Sequence, residues 1–224
     1  MQIEFLDERR YRCIVFEQNF RNGHILNPYH RSIFGVGYIG NGPHISKKSG
    51  NIKYPEYQAW YNMIMRCYDA RYQTTHTAYI GCSVDSEWHN YQNFAEWWKQ
   101  HWYQIPGERM DFDKDILYKN NRIYGPEKCC IIPHRINLLL VNRKRDRGET
   151  PVGVQRSGSS FVATCGIETG IVENLGSFST VEDAFNAYKI RKEQNIKDVA
   201  NRYKTNLPER VYNALMNRII EITD

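Results

Sequence analysis

Apolar residues recur every three or four positions between 54 and 68, where Tyr57, Trp60, Tyr61, Ile64, Met65 and Tyr68 fall on one side of a helix. Pro55 suits the first turn of that helix, where a missing N–H costs nothing. A second stripe, Tyr91, Phe94, Trp97 and Trp98, predicts a helix over about 90–102, and 79–88 between them reads as a short strand and turn. The pattern then shortens. Residues 113–117 predict a strand, 119–122 a loop and 129–132 a second strand, and Pro133 opens a helix through about Asn142 with Ile136, Leu139 and Leu140 apolar. Three further strands are expected at 152–155, 161–167 and 171–178, joined by turns at Ser157-Gly158 and Thr169-Gly170. A long helix follows. Ser179 or Thr180 caps it, and Glu182 and Asp183 in its first turn suit the positive end of the helix dipole. Pro208 begins a last amphipathic helix with Val211, Leu215, Met216 and Ile219.

Before residue 50 the chain reads as short strands and turns. Residues 11–16 form a strand candidate, and Asn22-Gly23 and Asn27-Pro28 are turn signals. The glycines at 35, 37, 40 and 42 do not make a dinucleotide fingerprint, because no clear helix follows and no acidic residue stands at the required distance. The expected class is therefore α+β in three parts: a small β-rich region over 1–50, a helical and ββα region over 51–147, and a three-stranded sheet with a helix over 148–224. The basic run 142–148 marks the second boundary.

Composition narrows the function. The chain has 224 residues, with 30 Lys and Arg against 25 Asp and Glu, for a formal charge of +5. That balance is compatible with a polyanionic partner without requiring one. The mean hydropathy of −0.66 fits a polar-surfaced globular protein, and no run approaches the ~18 apolar residues of a membrane span. Residues 1–8 lack a signal peptide's apolar stretch, so the chain is expected to stay in the cytoplasm where it is made. All five tryptophans lie between 60 and 102, which predicts a compact aromatic core. The cysteines at 13, 67, 82, 129, 130 and 165 form no Cys-x-x-Cys pair and are expected as buried, reduced thiols.

Two segments resemble known families. Pro151-Val152-Gly153-Val154-Gln155-Arg156, Phe161-Val162-Ala163, then Leu175-Gly176-Ser177-Phe178-Ser179-Thr180-Val181-Glu182-Asp183-Ala184 with Ala187-Tyr188 resemble an AP2 domain over about 150–203. In that family a three-stranded sheet lies in the DNA major groove, so the resemblance implies that Gln155, Arg156, Ser160 and Thr164 face DNA. Gln155 stands where plant members of the family have Arg. The neighbouring Arg143, Lys144 and Arg145 are expected on phosphates.

The middle of the chain shows Tyr57-x-x-Trp60-x-x-Met63-x-x-Arg66-Cys67-Tyr68, Gly81-Cys82-x-Val84-x-x-Glu87-Trp88, Phe94, Asp113-Lys114-Asp115-Ile116-Leu117 and Tyr124-x-Pro126-x-x-Cys129. This series resembles phage-encoded HNH-type endonucleases, including homing endonucleases that carry an AP2 module. The resemblance implies one Mg²⁺ or other divalent cation held by Asp113 and Asn137, with Asn120 or Asn121 orienting the base. The family's base His is here Lys114, a poor base at neutral pH, and His134 is the candidate substitute. Asp111, Asp113 and Asp115 alternate, so all three face one side if the strand is regular. The function expected is a metal-dependent, HNH-type DNA endonuclease of phage type that acts on double-stranded DNA in the host cytoplasm. The alternative is a catalytically inactive, nuclease-derived DNA-binding protein, or one that blocks a host defence protein.

Overall fold

The computed structural model describes residues 1–48, 52–141, 150–168 and 170–224. The chain is a mixed α+β protein whose residues gather into two compact units that interleave along the sequence. Unit 1 takes residues 1–102 and 120–129. Unit 2 takes 103–119 and 130–224, drawing on both the 51–147 and the 148–224 regions set out above. The whole basic run 142–148 and Thr169 of the expected turn lie outside the described residues.

Unit 1 opens with an antiparallel hairpin, β1 (Gln2–Glu4) with β2 (Arg12–Ile14), and a short helix α1 (Glu17–Arg21). Its body is α2 (Pro55–Tyr68), α3 (Ala70–Thr75) and α4 (Tyr91–His101), with a short parallel pair of β3 (Ser83–Val84) and β5 (Ile123–Tyr124). The two expected helices form where the apolar stripes put them. Pro55 sits in the first turn of α2, and the Asn90 side chain caps α4 by accepting from the Gln92 N–H. The stripes meet. Trp60, Trp88, Tyr91 and Phe94 are fully buried, and the Trp60 indole N–H donates to the Trp88 carbonyl at 2.7 Å. Gln92, also buried, accepts from the His44 N–H and donates to the carbonyls of Ile39 and His44, tying the glycine-rich segment to α4.

Unit 2 contains β4 (Met110–Asp113), β6 (Cys130–Pro133) and α5 (His134–Leu140). The two strands pair antiparallel, with Asp111 opposite Ile132 and Asp113 opposite Cys130. The strand expected at 113–117 is thus found three residues earlier and ends where it was expected to begin. The cause is local. Asp113 Oδ1 accepts from the N–H groups of Asp115 and Ile116, at 2.7 and 2.8 Å, and turns the chain out of the strand. Asp115 therefore does not continue an alternating row with Asp111 and Asp113.

The rest of unit 2 is a three-stranded antiparallel sheet, β7 (Val154–Ser157), β8 (Ser160–Glu168) and β9 (Ile171–Phe178), in that order. It is followed by α6 (Val181–Arg202) and α7 (Glu209–Met216). Thr180 caps α6 by accepting from the Asp183 N–H at 3.1 Å. Val154, Ala163 and Cys165 from the sheet share one apolar cluster with Ala184, Tyr188 and Ile196 of α6. Asn195, almost wholly buried, donates to the Ile167 carbonyl at 3.1 Å and locks the helix to the strand. The same cluster takes in Ile116, Cys130, Ile132 and Ile136 from the β4–β6–α5 region and Val211 and Leu215 from α7. All six cysteines are free thiols, and only Cys13 is not buried.

Candidate functional site

Two places in unit 2 concentrate polar groups. The first is built on β4 and α5. His134 and Asn137 are three residues apart on α5 and so share a face, and Asp111 projects from β4 toward them. His134 Nδ1 donates to Asp111 Oδ2 at 2.6 Å, and Asn137 Nδ2 donates to the same oxygen at 2.9 Å. Arg109 Nε lies 3.3 Å from the other carboxylate oxygen. Burial pushes the Asp111 carboxyl up, but the hydrogen bonds from Asn137 and His134 and the charges of His134 and Arg109 outweigh it, and the net shift is downward. Asp111 thereby holds the imidazole in one orientation through Nδ1 and leaves Nε2 as the nitrogen for other chemistry. Arg109 and Arg135 stand on either side in sequence as largely exposed guanidiniums.

The expected site residues distribute differently. Asp113 is turned onto its own backbone, as described, and does not meet Asn137, whose amide is on Asp111. Burial and the Asp115 charge push the Asp113 carboxyl up, against its two backbone hydrogen bonds and the Lys114 charge. Lys114 is buried, 9% exposed, and its ammonium lies 2.5 Å from Asp115 Oδ1. The Asp115 carbonyl in turn accepts from Arg218, and Lys119 donates to Glu221 and Asp224. The segment read as chemical is thus an anchor for the residues after α7. Asn121 belongs to unit 1, where its side chain accepts from the Ile123 N–H and donates to the Ile123 carbonyl, and Asn120 adopts a left-handed φ of 62°.

A divalent cation held jointly by Asp113 and Asn137 does not fit these donors. Among the described residues, no three His, Cys, Asp or Glu side chains converge as metal ligands.

The second place is the sheet. Period two puts Gln155, Val162 and Thr164 on the face opposite Val154, Ala163 and Cys165, which α6 covers. Register extends the open row across the strands. Val162 pairs with both Gln155 and Ser177, and Thr164 pairs with Asn174. Ser160 joins this face at the hairpin, with Ser177 Oγ donating to its hydroxyl at 3.0 Å. Arg156 does not. It pairs with Phe161, on the α6 side of the sheet, and its Nε donates to the Gly158 carbonyl at 3.4 Å. Arg143, Lys144 and Arg145 lie outside the described residues.

No family model, curated protein or solved structure matches this chain.

Sequence reasoning named Asp111 only as one of three alternating carboxylates and did not join it to His134. The signal was there in the His134-x-x-Asn137 spacing, which sets a donor pair on one helical face toward the preceding strands. Of the tryptophans expected as a compact aromatic core, Trp97 is buried and Trp98 half-buried, its ring stacked on Trp102 at 4.9 Å.

Proposed function

We propose that this chain binds duplex DNA through the open face of the β7–β8–β9 sheet. The observation that carries the reading is a sheet closed on one side by α6 and presenting hydrogen-bonding, uncharged side chains from all three strands on the other. Three strands about 4.8 Å apart span roughly 10 Å, which suits a major groove about 12 Å wide. Gln155 can pair bidentately with adenine, and the methyl groups of Val162 and Thr164 can meet the thymine methyl. The resemblance of these strands to an AP2 domain supports the same face. Because the row is uncharged, it supplies preference among bases, and affinity has to come from lysines and arginines elsewhere. Fluorescence anisotropy on a pool of labelled duplexes tests this. A Gln155→Ala, Thr164→Ala double variant should lose sequence preference while keeping wild-type salt dependence. Unchanged preference in that variant would sink the proposal.

A second reading, hydrolysis of the DNA phosphodiester, is favoured by the Asp111–His134–Asn137 cluster. An imidazole oriented by a half-buried carboxylate suits a general base that takes a proton from water through Nε2. Arg109 and Arg135 supply positive charge of the kind that stabilises a phosphate under attack. The test is plasmid nicking with Mg²⁺ or Mn²⁺ against an EDTA control. His134→Ala should abolish nicking and leave duplex affinity unchanged. Equal nicking by wild type and His134→Ala would remove the assignment, and no nicking by wild type would leave the inactive, DNA-binding protein as the function.

A further inference from the structure

The positive charge of this protein is unevenly placed. Between Glu17 and Glu56 there is no Asp or Glu, while Arg21, Arg31, Lys47, Lys48 and Lys53 fall in that stretch, so it alone carries a charge of +5, equal to the net charge of the entire chain. Three of these cations are brought together in unit 1. Lys47 and Lys53 form an antiparallel β-bridge, flanked by the Lys48 N–H donating to the Ile52 carbonyl at 2.7 Å and the Tyr54 N–H to the Ser46 carbonyl at 3.3 Å. Lys47 and Lys53 are therefore directly opposite each other on one side of the paired backbone, and Lys48 is on the reverse side.

Like charges directly opposite across two strands destabilise the pairing. The described residues offer no relief by carboxylates. No Asp or Glu oxygen lies within ion-pair distance of Lys47, Lys48 or Lys53. What fixes Lys53 is aromatic. Its Nζ stands 4.4 Å from the Tyr61 ring centre and 5.8 Å from that of Tyr57, while Lys48 lies 5.0 Å from the Tyr54 ring on the other side. Contact with a ring face orients an ammonium and leaves its charge uncancelled. Both lysines of the bridge are exposed. An anion placed between them converts the repulsion into attraction, and the oxygens of a phosphodiester present the right charge and acceptor count for two ammonium donors.

We infer that Lys47 and Lys53 form a phosphate-binding pair that grips the backbone of duplex DNA, a contact separate from the sheet and independent of base sequence. The inference rests on the DNA-binding reading and locates part of the charge that the sheet lacks.

The test uses the full chain and a random-sequence duplex, with affinity measured across a series of NaCl concentrations. Each phosphate neutralised contributes about 0.9 to the slope of log K against log salt. The Lys47→Ala, Lys53→Ala variant should flatten that slope by about 1 and weaken low-salt binding at least several-fold. Lys47→Arg, Lys53→Arg should keep the wild-type slope, and Lys48→Ala, on the reverse side, should leave it unchanged. A wild-type slope in the double alanine variant overturns this inference alone. A flattening as large in Lys48→Ala also overturns it, since the effect is then diffuse charge and not a site. Absence of any salt-dependent duplex binding by wild type overturns the DNA-binding reading and this inference with it.

Discussion

Asp113 accepts two backbone N–H groups while partly buried beside Asp115, and these facts pull its energetics in opposite directions. The turn needs an acceptor at this position, but the raised pKa means that the folded state favours the neutral acid. The charge therefore costs stability above the folded pKa, and the cost disappears as pH falls through it. Asparagine keeps the acceptor and removes the charge, so Asp113→Asn should melt no lower than wild type at pH 7. Asp113→Ala loses the acceptor and should be destabilised by about 1 kcal/mol in urea unfolding. A metal ligand would give the opposite reading, with Asp113→Asn losing any cleavage activity. Asp111 has the reverse sign. Its pKa is depressed on folding, so its contribution is complete above the ordinary value of 3.8 and is lost as pH falls through the depressed folded value. Urea unfolding from pH 7 to pH 2 should show stability falling below that ordinary value, and falling less in Asp111→Asn. Equal acid limbs in the two proteins would show that the His134 and Asn137 bonds do not stabilise the carboxylate.

At the scale of elements, what was legible is what periodicity encodes. The α2 and α4 stripes and the long α6 could be read because each buries one continuous face, and β7, β8 and β9 because Gly-containing turns punctuate them. The start of β4 could not be read, since Met110-Asp111-Phe112 alternates too briefly and the deciding event is a side chain bonding to its own backbone at Asp113. The cluster at Asp111 was half legible. Residue types and helical spacing pointed to His134 and Asn137, but which of three aspartates they meet depends on strand register, which local pattern does not give. One glycine of the AP2-like series has a direct physical reason. Gly153 holds φ at +75°, and a Cβ there would overlap the ring of Tyr188, which α6 presses against the start of β7. Gly153→Ala should therefore cost about 3 kcal/mol through backbone strain and overpacking. A thermal melt within a few degrees of wild type would show that Tyr188 moves aside freely.

For the whole molecule, the interleaving of the two units decides what can be cut out. The sheet and α6 look self-sufficient in sequence over 150–203, yet their core is shared with Ile116, Ile132 and Ile136 on one side and Leu207, Val211 and Leu215 on the other. A fragment of residues 150–203 should show no cooperative unfolding transition by circular dichroism, whereas residues 103–224, which retain every part of unit 2, should show one. A cooperative melt of the short fragment would mean that the shared core is dispensable. Contacts between residues a hundred positions apart leave no periodic trace, which is why this partition was invisible in the sequence. It also bears on synthesis. The ribosome makes Ile116 long before Val211 exists, and at about 5 to 20 residues per second the interval is on the order of 5 to 20 s. Throughout that interval the apolar side of 103–119 has no finished core to enter. The growing chain, more than the completed protein, is where a chaperone has something to hold.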